Sequence, residues 1–498
     1  MRSPCMPLAF GVAVLLMVGC TGDPEPSEEP AGGEPDPLPT EFEGEPPPGL
    51  EGEVLRHLHG QGANVHDMLD DGQGVRISPV GGAFLISSDG QDRHLLHDAA
   101  TGESLWEGEA GFRSFDTDLE GSPVLLMVGE EELPFVLSAE GEQLWSADEE
   151  DEVYLDGVVV RYPDEWSVDD PGGDFAVLNT DGEELWSYTF APDEEAEDSD
   201  EGGEGDEEAE EVEGSEEEPS FGVPVAAWDR TVLLSDGVST LYAYSLDADE
   251  PGEKLWTVDG ADEPMELPAS AAQSTPQVLG NYTLPTEDEE GEEGSAETAL
   301  LLRWAQPEGP STLSAHDPTD GGLLWTLEEP GTNPSPEPFV DADVGIAGSL
   351  HDAETGTLIL PQASGQATAI ALSLTDGEVL WGLEDEEGAI SPAFAFNGLF
   401  YGDQRTGEGT EDTQIVLDAL TMDVVEEDLT TRVEAVTDTG YAILVQDRQR
   451  FVHGPSPGQE EEPSQEPEEE ASEGESSEET PDEDQPAAVP RRPAAGGW

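Results

Sequence analysis

The sequence is poor in basic residues. It has 15 lysines and arginines against 118 aspartates and glutamates, a formal net charge of -103 over 498 residues, and Lys254 is its single lysine. Nucleic acids and anionic lipid surfaces are held by clustered cations, so this balance argues against both as partners. A cationic partner, bound cations or plain solubility remain as uses for the charge.

Cysteine is almost absent. Cys5 and Cys20 are the two cysteines of the chain, and Cys5 falls inside the export signal described below. Removal of that signal would leave one thiol, which excludes an internal disulfide even in a compartment that permits one. The stability of the folded protein must therefore come from a packed core.

No apolar run is long enough for a comfortable membrane span. The longest, Met6 to Val18, fits an export signal instead. Its end, LMVGC, resembles the lipobox of bacterial lipoproteins, in which the cysteine after a small residue is lipidated. The resemblance implies a signal peptide over 1–19, lipidation at Cys20 and a lipid anchor on the extracytoplasmic face of the cell membrane, or on an outer membrane. An ordinary secretory signal is the alternative.

Long stretches with helical periodicity are also missing. The apolar residues occur in short β-branched or aromatic runs such as SPVLLMV, RTVLLSD and ATAIALSL, bounded by Gly, Asp, Asn or Pro. Such runs are typical of short strands, so the fold class predicted is all-β.

Acidic segments divide the chain. Residues 193–218 hold 17 acids among 26 residues and no Lys or Arg. Self-repelling segments of this kind cannot enter a core. We predict one domain over 54–454, with a disordered Pro-rich tether, two acidic loop inserts and a disordered acidic tail, at 20–53, 193–218, 286–297 and 455–498 respectively.

A five-residue pattern recurs along the predicted domain. Each copy has a glycine followed four positions later by a tryptophan, and the pairs are Gly102 and Trp106, Gly141 and Trp145, Gly182 and Trp186, Gly252 and Trp256, Gly321 and Trp325, and Gly377 and Trp381. A degraded copy, IVLDALTMDVVEE, has Met422 or Asp423 in place of the glycine. Successive tryptophans of this pattern lie 39 to 70 residues apart. Without the acidic inserts the spacing falls in the range of propeller blades, and we predict seven blades, with eight as the alternative.

Each copy predicts a β-hairpin. The strand AIALSL runs into the turn TDG, whose Gly377 tolerates positive φ, and returns through EVLW. Trp381 then takes a fixed place on the returning strand, where its large surface can wedge between adjacent blades. One blade cannot bury that surface alone, so several copies must close into a ring.

The copies resemble the PQQ-like, or quinoprotein-type, β-propeller repeat. The copies that carry the resemblance best are LHDAATGESLW, with Asp98, and AHDPTDGGLLW, with Asp317. The resemblance implies a propeller, a fold that serves enzymes and non-enzymatic scaffolds alike. The enzymes typically use an adjacent-cysteine disulfide, calcium ligands and an aspartate base, and the mature chain has no cysteine pair. We therefore predict no catalytic residues and no cofactor.

Two other patterns resemble parts of catalytic or metal sites. The first is a set of three histidine–aspartate pairs: His97 and Asp98, His316 and Asp317, and His351 and Asp352. The first two pairs fall at matching repeat positions, and the partner groups of a catalytic or zinc site are missing, so we predict a structural role for all three. The second is DTDLEG, in which Asp116, Asp118 and Glu120 alternate before Gly121 like the start of a calcium loop. The twelfth position of such a loop is Met127 instead of Glu, so we predict a solvated loop and no metal site.

The sequence thus predicts a cell-envelope lipoprotein whose non-enzymatic propeller binds or scaffolds a protein or envelope partner. In being lipidated and lacking quinone-site cysteines it resembles the lipoprotein propeller of the outer-membrane protein assembly machinery. Two alternatives stay open. One is a quinoprotein-type dehydrogenase or cofactor carrier, and the other is an acidic surface module that keeps the protein hydrated at high salt.

Overall fold

The computed structural model describes residues 41–58, 68, 74–129, 132–147, 151–192, 221–285, 298–305, 310–332, 349–362, 367–384, 390–404, 413–427, 429, 431–447 and 449–456. Within them the chain forms eight antiparallel sheets of four strands each. We number these sheets as blades 1 to 8. Cys20, both acidic inserts and nearly all of the predicted tail lie outside the described residues.

Blades 1 to 4 each consist of four strands that follow one another in the chain. Their strands are β2 Val75–Val80, β3 Ala83–Ser88, β4 Arg93–Asp98 and β5 Ser104–Glu109; β6 Gly111–Thr117, β7 Pro123–Val128, β8 Pro134–Ser138 and β9 Gln143–Ser146; β10 Glu152–Leu155, β11 Val158–Arg161, β12 Gly173–Leu178 and β13 Glu184–Phe190; and β14 Val223–Trp228, β15 Thr231–Ser235, β16 Thr240–Ser245 and β17 Lys254–Asp259.

Blades 5 to 7 repeat this order, and blade 8 takes its fourth strand from the other end of the described chain. Their strands are β18 Gln277–Thr283, β19 Thr298–Ala305, β20 Pro310–His316 and β21 Leu323–Thr332; β22 Leu350–Asp352, β23 Thr357–Pro361, β24 Ala367–Ser373 and β25 Val379–Glu384; β26 Ile390–Phe396, β27 Leu399–Gln404, β28 Thr413–Asp418 and β29 Val424–Glu426; and β30 Arg432–Val436, β31 Ala442–Gln446, β32 Gln449–His453 and β1 Val54–His57.

The blades form a closed ring. First strands of neighbouring blades contact one another, among them β22 with β26, β26 with β30, and β30 with β2, so the first strand of each blade lies innermost. The ring closes where β1 pairs with β32, Val54 standing opposite His453. Closure covers the blade faces that would be exposed at the two ends of an open array.

The prediction of seven blades was wrong, and the chain has eight. The degraded copy around Met422 forms blade 7. The eighth copy was missed because its strands come from both ends of the described chain. Its last part is GEVLR, residues 52–56, which differs from GEVLW at 377–381 in the final letter.

The ring has two faces. The connections from first to second strand and from third to fourth strand reach one face, which we call the turn face. The remaining connections reach the other, which we call the crossover face. This follows from the antiparallel order common to all sheets.

The core lies between adjacent blades and is built mainly from their second and third strands. In the cluster between blades 3 and 4, Val158 and Val160 of one blade pack with Val232 and Leu234 of the next, and all four are fully buried. Such buried β-branched and aliphatic side chains supply the apolar contact that holds adjacent blades together.

The sequence predicts that residues 41–53 belong to the tether, whereas the structure places them against blades 7 and 8. Leu50 is buried in the cluster between these blades. The hydroxyl of Tyr401 donates to the carbonyl of Pro48 at 2.6 Å, and the rings of Phe42 and Phe451 lie 5.4 Å apart. The packed domain therefore begins near residue 41.

None of the described residues belongs to a helix long and apolar enough to cross a bilayer.

Candidate functional site

The motif aspartate builds the turn between the third and fourth strands. In blade 1 the carboxylate of Asp98 accepts hydrogen bonds from the backbone and the hydroxyl of Thr101, at 2.5 and 2.7 Å. Burial raises the pKa of Asp98, but these hydrogen bonds outweigh it and hold the pKa below its ordinary value. Gly102 completes the turn at φ 81°, a conformation that favours glycine.

The turn glycine also makes room for the tryptophan of the preceding blade. A Cβ on Gly377 would lie 2.5 Å from the ring of Trp325, and one on Gly321 would lie 2.9 Å from the ring of Trp256. Trp325 in turn donates from Nε1 to the carbonyl of Leu374 at 2.7 Å. The glycine and tryptophan of one copy can therefore serve two different seams, because Gly321 receives Trp256 of the preceding blade and Trp325 docks on Gly377 of the following one.

The other predicted copies follow this scheme with variations. Trp186 is the neighbour of Gly252, and Trp381 donates to the carbonyl of Ala419 at 2.8 Å in blade 7. There the glycine position is held by Met422 at φ 60°. A Cβ on Gly141 would meet the carbonyl oxygen of Leu105, beside Trp106 in the chain, at 2.8 Å.

Gly182 holds the turn-glycine position in blade 3, the blade that follows Trp145. It has φ 81°, yet a Cβ there would meet nothing within 4 Å. Trp145 is nevertheless buried and packs against Tyr154, with ring centroids 6.0 Å apart. Backbone conformation therefore accounts for this glycine without close contact.

At the closing seam Arg56 stands where the tryptophan would be. A Cβ on Gly102 would lie 2.8 Å from its Nε. Its Nη2 donates to the carbonyls of Asp98 and Ala99 at 2.9 and 2.6 Å, and its Nη1 to that of Ala100 at 3.1 Å. The bond to Ala99 corresponds to the bond that Trp325 makes with Leu374. Burial lowers the pKa of Arg56, opposed by the charge of Asp98.

The first two histidine–aspartate pairs serve the turns. Nε2 of His97 lies 3.2 Å from Nη2 of Arg56 and must accept from it. Nδ1 of His316 donates to the carbonyl of Gly321 at 3.0 Å, since a carbonyl oxygen only accepts. In the neutral ring Nε2 then accepts from the hydroxyl of Ser314, 2.9 Å away, and this hydroxyl accepts from the indole of Trp304 at 2.8 Å. Burial lowers the pKa of His316, consistent with a neutral ring.

The third pair lies elsewhere, at the end of an innermost strand. Asp352 accepts from the backbone of Thr355 and, across the seam to blade 7, from the backbone of Gly398, both at 3.0 Å. His351 packs edge-on against Tyr282 at 5.1 Å. Burial lowers the pKa of His351 and raises that of Tyr282 to about 12. All three pairs thus have structural contacts.

The turn face carries a cavity of about 1080 Å³ at the mouth of the central channel. It is lined by turns and strand residues of blades 2 to 5 and by Ser349 next to blade 6, and none of the lining residues is a lysine, arginine or histidine. Its acids and its aromatic residues are Asp116, Asp118, Glu120, Asp156 and Asp229, and Phe115, Trp228 and Tyr282. We call this region the channel mouth.

The predicted loop at 116–121 is part of the channel mouth. Asp118 accepts from the backbone of Glu120 at 3.0 Å and of Ser122 at 2.7 Å, and Asp156 accepts from the backbone of Ala227 in blade 4 at 2.9 Å. These carboxylates fix turns. Over the described part of the chain, no group of three or more His, Cys, Asp or Glu side chains has the arrangement of a metal site.

Sequence reasoning missed Arg56 and the channel mouth. The sequence signal for Arg56 is GEVLR, a copy of the repeat in which arginine replaces the final tryptophan. The channel mouth had no such signal, because its residues come from turns of several blades that are far apart in the chain.

The fold and its seams define an eight-bladed β-propeller of tryptophan-docking repeats, which confirms the predicted all-β propeller. Residues 52–215 match the family model described as "Outer membrane protein assembly factor BamB". That match covers about a third of the chain. No curated protein matches it.

Several solved structures resemble the chain in outline. BamB from Moraxella catarrhalis is 16% identical with a TM-score of 0.37, over 77% of this chain and 96% of that one. The computationally designed Ika8 protein is 14% identical with a TM-score of 0.36, over 77% and 98%. Quinohemoprotein alcohol dehydrogenase ADHIIG from Pseudomonas putida HK5 is 12% identical with a TM-score of 0.35, over 78% and 71%. None of these likenesses carries an argument about function.

Proposed function

We propose that the protein is a cell-envelope lipoprotein whose propeller is a non-enzymatic binding module in the assembly of outer-membrane proteins. The observation that carries this is the match of residues 52–215 to the family model named for an assembly factor. The anchor is Cys20, and the partner is a protein of the envelope. The fold alone would support many functions.

The contacts of the histidine–aspartate pairs support a binding role over catalysis. His97, His316 and Asp352 each hold backbone or side-chain groups of a blade seam at hydrogen-bond distance. A general acid or base must instead reach a substrate proton. The residues that looked most like catalytic groups are therefore committed to holding the ring together.

The channel mouth is the region of contact with the partner. Phe115 is 39% exposed there, next to acids and with Trp228 and Tyr282 in the same lining. Exposed aromatic groups provide anchoring area, and carboxylates beside aromatic faces attract cations. A segment of the partner that carries lysine or arginine fits this combination.

The anchor is tested by intact mass of the protein from its native membrane fraction. We expect a diacylated or triacylated chain that begins at Cys20. Cys20→Ser should abolish the lipid mass and release the protein from membranes, while the control Cys5→Ser should change neither. An unlipidated chain, or one that begins elsewhere, would remove the anchor from the proposal.

The partner is tested by photo-crosslinking in intact cells. A benzophenone amino acid at Phe115 should give one discrete adduct with a component of the outer-membrane assembly machinery, identified by mass spectrometry. The control position is Leu255, 45% exposed on β17 and away from the channel mouth. Equal adducts at both positions would reject the channel mouth, and adducts with unrelated proteins would reject the assembly role.

The non-enzymatic part is tested separately. The purified protein should show no quinone absorbance and no dye-linked dehydrogenase activity after addition of pyrroloquinoline quinone and Ca²⁺. Turnover of an alcohol under these conditions would establish the quinoprotein alternative.

A further inference from the structure

Two cations of the propeller stand apart from the rest. Arg76 and Arg113 are exposed, and within the described residues neither guanidinium has a hydrogen bond or an ion pair. The other described arginines that are not part of the closing seam form ion pairs: Arg93 with Glu107, Arg161 with Glu152, Arg230 with Asp247, Arg303 with Glu329, Arg432 with Asp403, and Arg450 with Glu434. In a chain with so many acids, two such cations without a carboxylate need an explanation.

Both lie on innermost strands of neighbouring blades and at the same end of the channel. Arg76 of β2 stands opposite Ser87, the last residue but one of β3. Arg113 of β6 lies in the bulge beside the pair of Phe112 and Met127, and Met127 is the last residue but one of β7. Both positions are therefore next to the crossover face.

A third arginine continues the row on the other side of β2. Arg432 begins β30, the innermost strand of blade 8, and stands opposite Val445, again the last residue but one of its partner strand. Its side chain is 61% exposed and binds the carboxylate of Asp403 at 3.0 Å. We call Arg432, Arg76 and Arg113 the arginine arc.

The ion pair of Arg432 indicates which ligand the arc would bind. Arg432 binds the carboxylate of Asp403, and a planar guanidinium matches the two oxygens of such a group. Three consecutive innermost strands would present their cations side by side to an extended chain that crosses the channel end. The channel mouth, at the opposite end, has no cation in its lining.

We propose that the arginine arc binds an acidic, carboxylate-rich segment of a protein partner at the crossover face. This goes beyond the role proposed above, which places the partner at the channel mouth and requires no ligand here. Arg76 and Arg113 form ion pairs with carboxylates of that segment. Arg432 binds a further carboxylate of the segment, either in place of Asp403 or together with it.

The test uses the full-length protein and a fluorescein-labelled polyglutamate peptide, followed by fluorescence anisotropy. At about 0.15 M salt the general repulsion between the two acidic chains is screened beyond about 8 Å. We expect saturable binding that weakens at least about tenfold when Arg76→Gln and Arg113→Gln are combined. Arg230→Gln is the matched control, because Arg230 is 67% exposed but lies in a turn-face connection.

Three results would overturn the proposal. They are no saturable binding by the parent protein, equal weakening by the control substitution, and displacement of the peptide by inorganic phosphate at concentrations where free glutamate has no effect. The last would mean a phosphate site in place of a carboxylate site. Crosslinking at Phe115 is read independently, so failure at either end of the channel leaves the other result standing.

Discussion

The seam between blades 5 and 6 and the seam between blades 8 and 1 hold the same turn with different side chains. Trp325 fills the first with a buried ring and one hydrogen bond to Leu374. Arg56 takes the second with a half-buried guanidinium and bonds to three consecutive carbonyls, of Asp98, Ala99 and Ala100. Both side chains donate to the carbonyl of the residue three positions before the turn glycine, which is Leu374 at the first seam and Ala99 at the second.

The difference shows which part of the repeat is required. The turn and its glycine are kept at both seams, at φ 72° in Gly377 and 81° in Gly102. The docking residue is apolar at one of these seams and charged at the other, and in both it donates to a carbonyl of the turn. Burial of aromatic area stabilises the first seam, whereas charge-assisted hydrogen bonds stabilise the second.

The largest effect is expected at the aromatic seam. Trp325→Ala should lower the free energy of unfolding by about 3–5 kcal/mol, because it leaves a cavity among buried side chains. Denaturant unfolding followed by circular dichroism measures this. Leu324→Ala is the control, since Leu324 is 45% exposed and its loss should cost about 0.5 kcal/mol or less. Similar losses for the two variants would show that the tryptophan does not hold the seam.

A pair of glycines separates backbone conformation from close contact. Gly377→Ala should cost about 2–5 kcal/mol, the sum of left-handed strain and displacement of Trp325. Gly182→Ala should cost about 1–2 kcal/mol, because a Cβ there meets nothing within 4 Å and only the strain remains. The same unfolding measurement serves both, and equal costs would argue that contact with the ring is unimportant.

The closing seam should be the weaker of the two. Arg56→Ala should cost about 1.5–3 kcal/mol, the range for hydrogen bonds made by a charged group, because the guanidinium is only half-buried. Arg230→Ala, whose ion pair is exposed on both sides, should cost less than about 1 kcal/mol. A loss at Arg56 as large as that of Trp325→Ala would remove the distinction between the seams.

Arg56→Trp converts the closing seam to the repeated form. The indole would meet the same glycine and the carbonyl of Ala99, so we expect this variant to be more stable than Arg56→Ala. If the tryptophan variant were the less stable of the two, the turn of blade 1 would be specific for a guanidinium.

The smallest expected effect is a pH dependence at His316. Burial lowers its pKa in the folded protein, so between the folded and unfolded pKa values the unfolded chain binds the extra proton. The stabilising contribution is present above the unfolded value of about 6.5 and is lost as the pH falls below it, by at most about 1.4 kcal/mol per pH unit. His316→Gln should flatten the slope of unfolding free energy between about pH 7 and pH 5. An unchanged slope would show that His316 does not contribute.

The ring could be predicted from sequence because its signal is local. Gly and Trp four positions apart determine a turn and a docking side chain, and both occur within one hairpin. The eighth blade was not predicted because one of its strands lies at the opposite end of the described chain from the other three, and because Arg56 replaces the tryptophan of the repeat. Leu50 was assigned to the tether because its neighbours are Pro, Gly and Glu, and burial of a single leucine leaves no periodic trace.

The channel ends were beyond sequence reasoning for a different reason. Asp118, Asp156 and Asp229 are far apart in the chain, and nothing around any of them indicates that they line the same cavity. The arginine arc is similar, because Arg76 and Arg432 become neighbours through the closure of the ring. Proximity of this kind depends on blade number, which the sequence analysis had wrong.

Closure by β1 also determines how the ring would respond to mechanical load. Val54 stands opposite His453, and the backbone of Gly454 donates to the carbonyl of Glu53 at 2.9 Å, so the chain enters and leaves the closing ladder side by side. A force that pulls these ends apart acts on the first rung of an antiparallel ladder and breaks its bonds one after another, instead of shearing all of them together. Leu50, buried between blades 7 and 8, would resist the pull first. Arg56 lies two residues from that rung and would oppose the peeling of the ladder itself. The closing seam is thus the point at which a pull on the chain would open the ring.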